Sequence, residues 1–327
     1  MSLVFAAIAP HGTLPEAPVP GAEKTHEALA ALGRRFDAAA PEATIVMTPH
    51  NVHVEGHFAV VLAGTVAGSL AEFDAPEVML SCPVDVELAA EAVVALHDDG
   101  LPVVGASFGP NDPSAATAPL DWGALIPLWF MGGRTEPQVP AVVVSPARDL
   151  SLSDHVRAGR ALARAADASG KRVALIASAD HGHAHDPDGP YGFDPAAAEY
   201  DDLIVRFVQE DSLDGVLGLD PALVDAAKRT AGGSWQCFTE HWERRGLGPF
   251  SLTKHQPISG CFAPPMHLIK DRGYPGRNQP GNAIQWRIAA AYVHPGADCA
   301  RRNLDRSHDP ARPPRPGGVV CRWTGAR

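Results

Sequence analysis

The chain has 327 residues and a formal net charge of −11, long enough for one large domain or two ordinary ones. It holds no apolar run of 18 residues, opens on a strand-like stretch with no basic leader, and spaces its five cysteines in no framework; membrane span, signal peptide and disulfide scaffold are set aside for a soluble cytoplasmic protein with reduced thiols. Residues 1–231 carry 13 Lys/Arg against 32 Asp/Glu, a net of −19, whereas residues 232–327 carry 14 against 6, a net of +8; so acidic a body repels nucleic acid.

In chain order, Leu3–Ala9 reads as a strand and Ala22–Ala40 as a helix, with Ala28, Leu29, Leu32 and Phe36 at helical spacing. Strands follow at Ala43–Met47 and Phe58–Leu62, a helix at Val86–Leu96, and a strand at Pro102–Ser107. A Gly/Pro/Asn/Asp-rich loop spans Gly109–Pro119 and leads into the apolar stretch Leu120–Met131. Ala141–Val144 is a strand, and Ser153–Ala168 a helix capped by Ser151 or Ser153. Val173–Ala177 has the length of a buried strand, and Pro195–Glu210 and Pro221–Lys228 read as helices. Strands alternating with helices predict an α/β fold: a mostly parallel central sheet with helices on both faces and the active site at the carboxyl ends of the strands. The predicted division is a catalytic α/β domain over residues 1–231 and an irregular basic Arg/Pro-rich tail over 232–327, which lacks apolar periodicity and any convincing strand.

Three strands deliver a histidine at their exits. Leu3–Ala9 runs into Pro10-His11-Gly12, Ala43–Met47 into Thr48-Pro49-His50-Asn51, and Val173–Ala177 into Ser178-Ala179-Asp180-His181-Gly182-His183. A strand-end loop holds a side chain rigidly enough to bind a metal, so the matched His11 and His50 are candidate ligands. His53 and His57 compete for the second place, and His50 is preferred for its position at the strand exit. Alternation of His181, His183 and His185 on an extended segment would point all three one way, as a metal cluster or as one working histidine among loop residues. Asp180 is placed to orient a neighbouring imidazole. No Gly-x-Ser-x-Gly elbow or phosphate-cradling glycine loop is present.

These three motifs together resemble the class III extradiol ring-cleavage dioxygenases, the family of the protocatechuate 4,5-dioxygenase catalytic beta subunit. The resemblance covers roughly residues 1–230 and implies a non-haem Fe(II) enzyme that opens a catechol-like ring with O2 next to its hydroxyls. It implies His11 and His50 as iron histidines. It makes His183, which closes a Ser-x-x-x-x-His segment from Ser178, the acid/base. Where many relatives have Asp-His-Gly, this chain has Asp121-Trp122-Gly123. Trp122 cannot shuttle a proton but can stack on a ring substrate, so Trp122, Asp180 and His181 are assigned to the substrate pocket. The family's third ligand is a glutamate in a Glu-x-x-Thr-aromatic context. Glu240 is the best carboxylate available in residues 232–327.

Partners implied are a small aromatic substrate and O2, with a second copy or a small partner subunit left open, and neither nucleic acid nor membrane. The rival readings are a zinc or iron hydrolase on the same scaffold, with His183 as base, and a non-catalytic metal-binding or tail-inactivated member.

The tail also admits an out-of-frame reading. Permitted codons for Leu252–Met266, LTKHQPISGCFAPPM, read so that each new codon joins the last base of one to the first two of the next, can encode DEAPTYFGMLCAAY. That peptide has the Glu-x-x-Thr-aromatic pattern, its glutamate straddling Thr253 and Lys254.

Overall fold

The computed structural model describes residues 2–147, 149–179, 181–228 and 289–291. Its central sheet is built from β1 (Leu3–Ala9), β2 (Ala43–Met47), β3 (Phe58–Val61), β6 (Val103–Ser107), β8 (Ala141–Ser145), β9 (Val173–Ser178) and β10 (Ala289–Ala291), in the order β1-β9-β2-β8-β3-β6-β10. Neighbours are parallel except at β8/β3 and β6/β10. This is the mostly parallel α/β sheet expected from the sequence. The strands β2, β3, β8 and β9 are buried at every residue, which is why they read as unbroken apolar runs. The strand β10 departs from the expectation that residues 232–327 hold no strand. Three small residues on an edge give no sequence signal of their own.

The helices around the sheet are α1 (Glu23–Ala39), α2 (Val86–Asp98), α3 (Trp122–Phe130), α4 (Leu152–Ser169), α5 (Pro195–Gln209) and α6 (Pro221–Ala226). Among the described residues none is long and apolar enough to cross a membrane. The cap of α4 is Ser151, whose hydroxyl accepts from the Asp154 amide at 3.1 Å. Asp85 caps α2 and also pairs with Lys171 Nζ at 2.7 Å. Two units had no counterpart in the sequence reading. One is a small sheet, β5 (Ala75–Pro83), β4 (Thr65–Leu70) and β7 (Thr117–Pro119), in the order β5-β4-β7. In β5 the inward Val78, Leu80 and Cys82 alternate with outward Glu77, Met79 and Ser81, but an outward methionine turns that alternation into an apolar run. The other is α3, whose Gly123–Leu128 are all buried and which holds an internal proline, Pro127. A helix apolar on every side has no amphipathic period to find.

These two units position the site. The strand β7 pairs with β4, and the Leu120 amide extends the ladder to the Ala67 carbonyl at 2.9 Å. The chain therefore enters α3 at a fixed point over the ends of the central strands. The helix α1 holds the far end of α3, where a Cβ on Gly33 would lie 2.5 Å from the Phe130 carbonyl oxygen. Register does the rest. Ala9 is level with Ser178 and Met47 with Ala177, so β1, β9 and β2 end side by side and their exit loops share one edge.

Candidate active site

At that edge His11 is buried, and its Nδ1 lies 2.7 Å from Ser178 Oγ. The Ser178 hydroxyl donates its single proton to the Gly123 carbonyl. It can therefore only accept from His11, which places a proton on His11 Nδ1 and the lone pair on Nε2. His11 Nε2 faces His50 Nε2 at 3.1 Å, with the two rings edge to face. Two nitrogens each ~2.1 Å from one metal in adjacent positions are about 3.0 Å apart. The pair thus fits a shared divalent cation, and the fixed lone pair on His11 is the donor such an ion requires.

Both sides of His50 are held by one carboxylate. Asp121 accepts from Thr48 Oγ1 at 2.7 Å and from Asn51 Nδ2 at 2.9 Å, and caps α3 by accepting from the Ala124 amide at 3.1 Å. Trp122 lies on the His50 ring, stacked with centroids 4.2 Å apart, and meets Phe73 edge-on at 5.5 Å. Gly123 must lack a side chain, since a Cβ there would lie 2.7 Å from Thr48 Oγ1 and 3.0 Å from His50 Cδ2. The contacts of Asp121 and Gly123 went unread in the sequence, although the Asp-x-Gly pattern at a helix start was a cap signal.

Beyond β9 the three histidines do not point one way. His183 Nδ1 donates to the His181 carbonyl at 2.8 Å, leaving Nε2 as the basic nitrogen, and its ring meets Tyr191 edge-on at 5.1 Å. His185 Nε2 turns instead to Asp201 Oδ2 at 2.9 Å. His181 is buried. The His183 and His185 rings thus take different partners, and strand alternation does not carry into this loop. Asp201, on α5, also accepts from the Gly182 amide at 2.7 Å, and the His183 amide donates to the Ala227 carbonyl at 2.9 Å. Asp201 thus holds the chain on both sides of His183, at Gly182 and at His185, and it has no counterpart in the sequence reading. Of the competing histidines, His53 is exposed, and His57 Nδ1 turns back to the Glu55 carbonyl at 2.9 Å. Asp180 and Glu240 lie outside the described residues. Among the described residues no group of three His, Cys, Asp or Glu is placed to hold a metal, so the structure brings together His11 and His50 as a pair.

Burial raises the Asp201 carboxyl above its ordinary value of 3.8, against the opposing pull of the charges on His181 and His185 and of the hydrogen bonds from Gly182 and His185. A carboxyl raised on folding contributes stability that is complete below the unfolded value and lost as pH rises through the folded one. Asp201→Asn removes that loss. Denaturant melts taken from the ordinary carboxyl range upward should show the variant gaining on the parent as pH rises. A constant difference across the range would contradict this.

Protein CA_C1420 of Clostridium acetobutylicum is 25% identical over 199 residues, which are 61% of this chain and 42% of that protein. The chain thus spans less than half the length of that relative. Similarity to the crystal structure of uncharacterized protein JW3007 from Escherichia coli K12 covers 64% of this chain and 81% of that one, at 20% identity and a TM-score of 0.36. The family model described as the catalytic LigB subunit of aromatic ring-opening dioxygenase matches residues 6–238, a span that includes His11, His50, Asp121 and His183. The chain belongs to that family, the catalytic LigB subunits of aromatic ring-opening dioxygenases.

Proposed function

We propose that residues 1–231 form the catalytic frame of a non-haem Fe(II) extradiol dioxygenase acting on a catechol-like ring. His11 and His50 hold the iron, and His183 is the acid/base. The observation that carries this reading is the pair of Nε2 atoms facing each other at 3.1 Å, with the lone pair on His11 set by Ser178. Two neutral imidazoles and a carboxylate would suit ferrous iron, which when bound would supply the redox coupling between a catechol-like ring and O2. The protein's own part is to orient the two imidazoles and to move a proton. His183, with Nδ1 committed to a carbonyl, presents Nε2 to take a proton from a phenolic hydroxyl and return it as the ring opens. Tyr191 lies edge-on to that imidazole.

The third ligand belongs, in this reading, to the part of the chain beyond Lys228. Within that part, residues 232–327 are a basic tail read out of the ancestral frame. The family match ends at residue 238, close to where the net charge changes sign, which supports this division. Glu240 is the carboxylate in the frame as given, and the glutamate straddling Thr253 and Lys254 is the one in the shifted frame.

The acid/base assignment is tested in a chain that turns over to begin with. His183→Ala should keep its iron content and lose roughly 10²–10⁴-fold in turnover. Loss of the metal in that variant would instead make His183 a ligand. Metal analysis separates the rival reading, since zinc in the purified protein with no iron would favour a hydrolase.

A further inference from the structure

We propose that the first turn of α3, Asp121 to Gly123, together with Pro127, is a positioning device that presets both metal-facing imidazoles before any metal arrives. The inference rests on the reading of His11 and His50 as a metal pair, and it concerns how their geometry is made.

Pro127 has no backbone N–H, so in α3 it cannot bond the carbonyl four residues earlier, which is that of Gly123. A buried carbonyl without its helical partner needs another donor. The Ser178 hydroxyl supplies it. That donation uses the only proton Ser178 has, which obliges its oxygen to accept from His11 Nδ1 at 2.7 Å. The proline thus reaches His11 through two groups in series, the Gly123 carbonyl and the Ser178 hydroxyl, and puts the lone pair on Nε2, the atom facing His50. The same turn controls His50 by a separate route. Asp121 grips Thr48 on one side of it and Asn51 on the other, and Trp122 covers its ring. Gly123 lets the turn approach, because any side chain would strike Thr48 and His50. One three-residue segment therefore acts on two imidazoles from different strands. An Asn at 121 would keep the helix cap. It would also set an amide N–H2 against the Asn51 N–H2, breaking one bond selectively. These are positioning residues, since none of them needs to touch the ion.

The test uses the full chain with Co(II) alone as probe, followed by its visible absorption, and long-range ¹H–¹⁵N spectra of the metal-free imidazoles. The unaltered chain should show His11 in one tautomer, protonated at Nδ1. Ser178→Ala and Asp121→Asn should each bind Co(II) about 10–100-fold more weakly, with unchanged circular dichroism. Ser178→Ala should lose the single tautomer of His11, and Asp121→Asn should move the His50 ring signals and leave those of His183 in place. Pro127→Ala restores an N–H that competes with Ser178 for the Gly123 carbonyl. It should raise the unfolding midpoint, since proline is unfavourable inside a helix, and still weaken Co(II) binding. A purely structural turn would change stability alone. Unaltered Co(II) affinity and imidazole spectra in Ser178→Ala and Asp121→Asn would overturn the proposal. Should the parent chain take up no Co(II), the metal reading fails, and the spectra by themselves decide whether the turn sets the two rings.

Discussion

Replacing His50 by alanine should abolish iron uptake in an anaerobically prepared chain if the proposed pair holds the iron, and replacing His11 should do the same. The two Nε2 atoms face each other at 3.1 Å, so neither keeps a chelate without the other. The loss should exceed the roughly 10–100-fold that removal of an outer partner costs a metal site. Iron content after gel filtration, measured beside the parent chain, decides it. Full iron in His50→Ala would move the ligand to another residue. The structure makes His53 a poor replacement because it is exposed, and His57 because its Nδ1 is turned to the Glu55 carbonyl. Loss of iron should also leave the fold intact. His50 sits on an exit loop, and the buried strand β2 before it carries the packing.

The second large effect lies in the tail. If residues 232–327 are read out of frame, a chain translated in the shifted frame should bind iron more tightly than the chain as given and turn over a catechol that the latter leaves untouched. The physical reason is the ligand set. Two neutral imidazoles hold ferrous iron weakly, and a carboxylate adds both a third bond and a negative charge against the cation. The composition points the same way. The net charge turns from −19 over residues 1–231 to +8 over residues 232–327, and the tail holds four of the five cysteines, Cys237, Cys261, Cys299 and Cys321. Sequencing the source DNA is the direct check. A stop codon interrupting every shifted frame just after codon 232 would end the idea, and Glu240 would then be the carboxylate to replace.

Much of the fold was legible without coordinates. The buried strands β1, β2, β8 and β9 read as apolar runs between turn residues, and the helices α1, α4 and α5 as amphipathic stretches. Each is a local pattern whose period matches its own geometry. The β4–β5 hairpin and α3 were not legible, because an outward Met79 hid one period and the all-round burial of α3 abolished the other. The tail strand Ala289–Ala291 left no pattern to read.

The amino-acid sequence by itself determined which residue types leave the strands: His11, His50 and His183, each just beyond an apolar run. Those runs are local, and so is the chemistry of an imidazole. Only the tertiary structure decided how the histidines are aimed. The register of β1, β9 and β2 brings His11, Ser178 and His50 to one edge from positions far apart in the chain. The unread helix α3 then supplies the Asp121 carboxylate, the Trp122 ring and the Gly123 carbonyl that hold them. Beyond Ser178, hydrogen bonding takes His185 to Asp201 and leaves the basic nitrogen of His183 at Nε2. A tautomer or a ring orientation is fixed by its hydrogen-bond partners. Here those partners come from other elements, and no reading of the local sequence contains them.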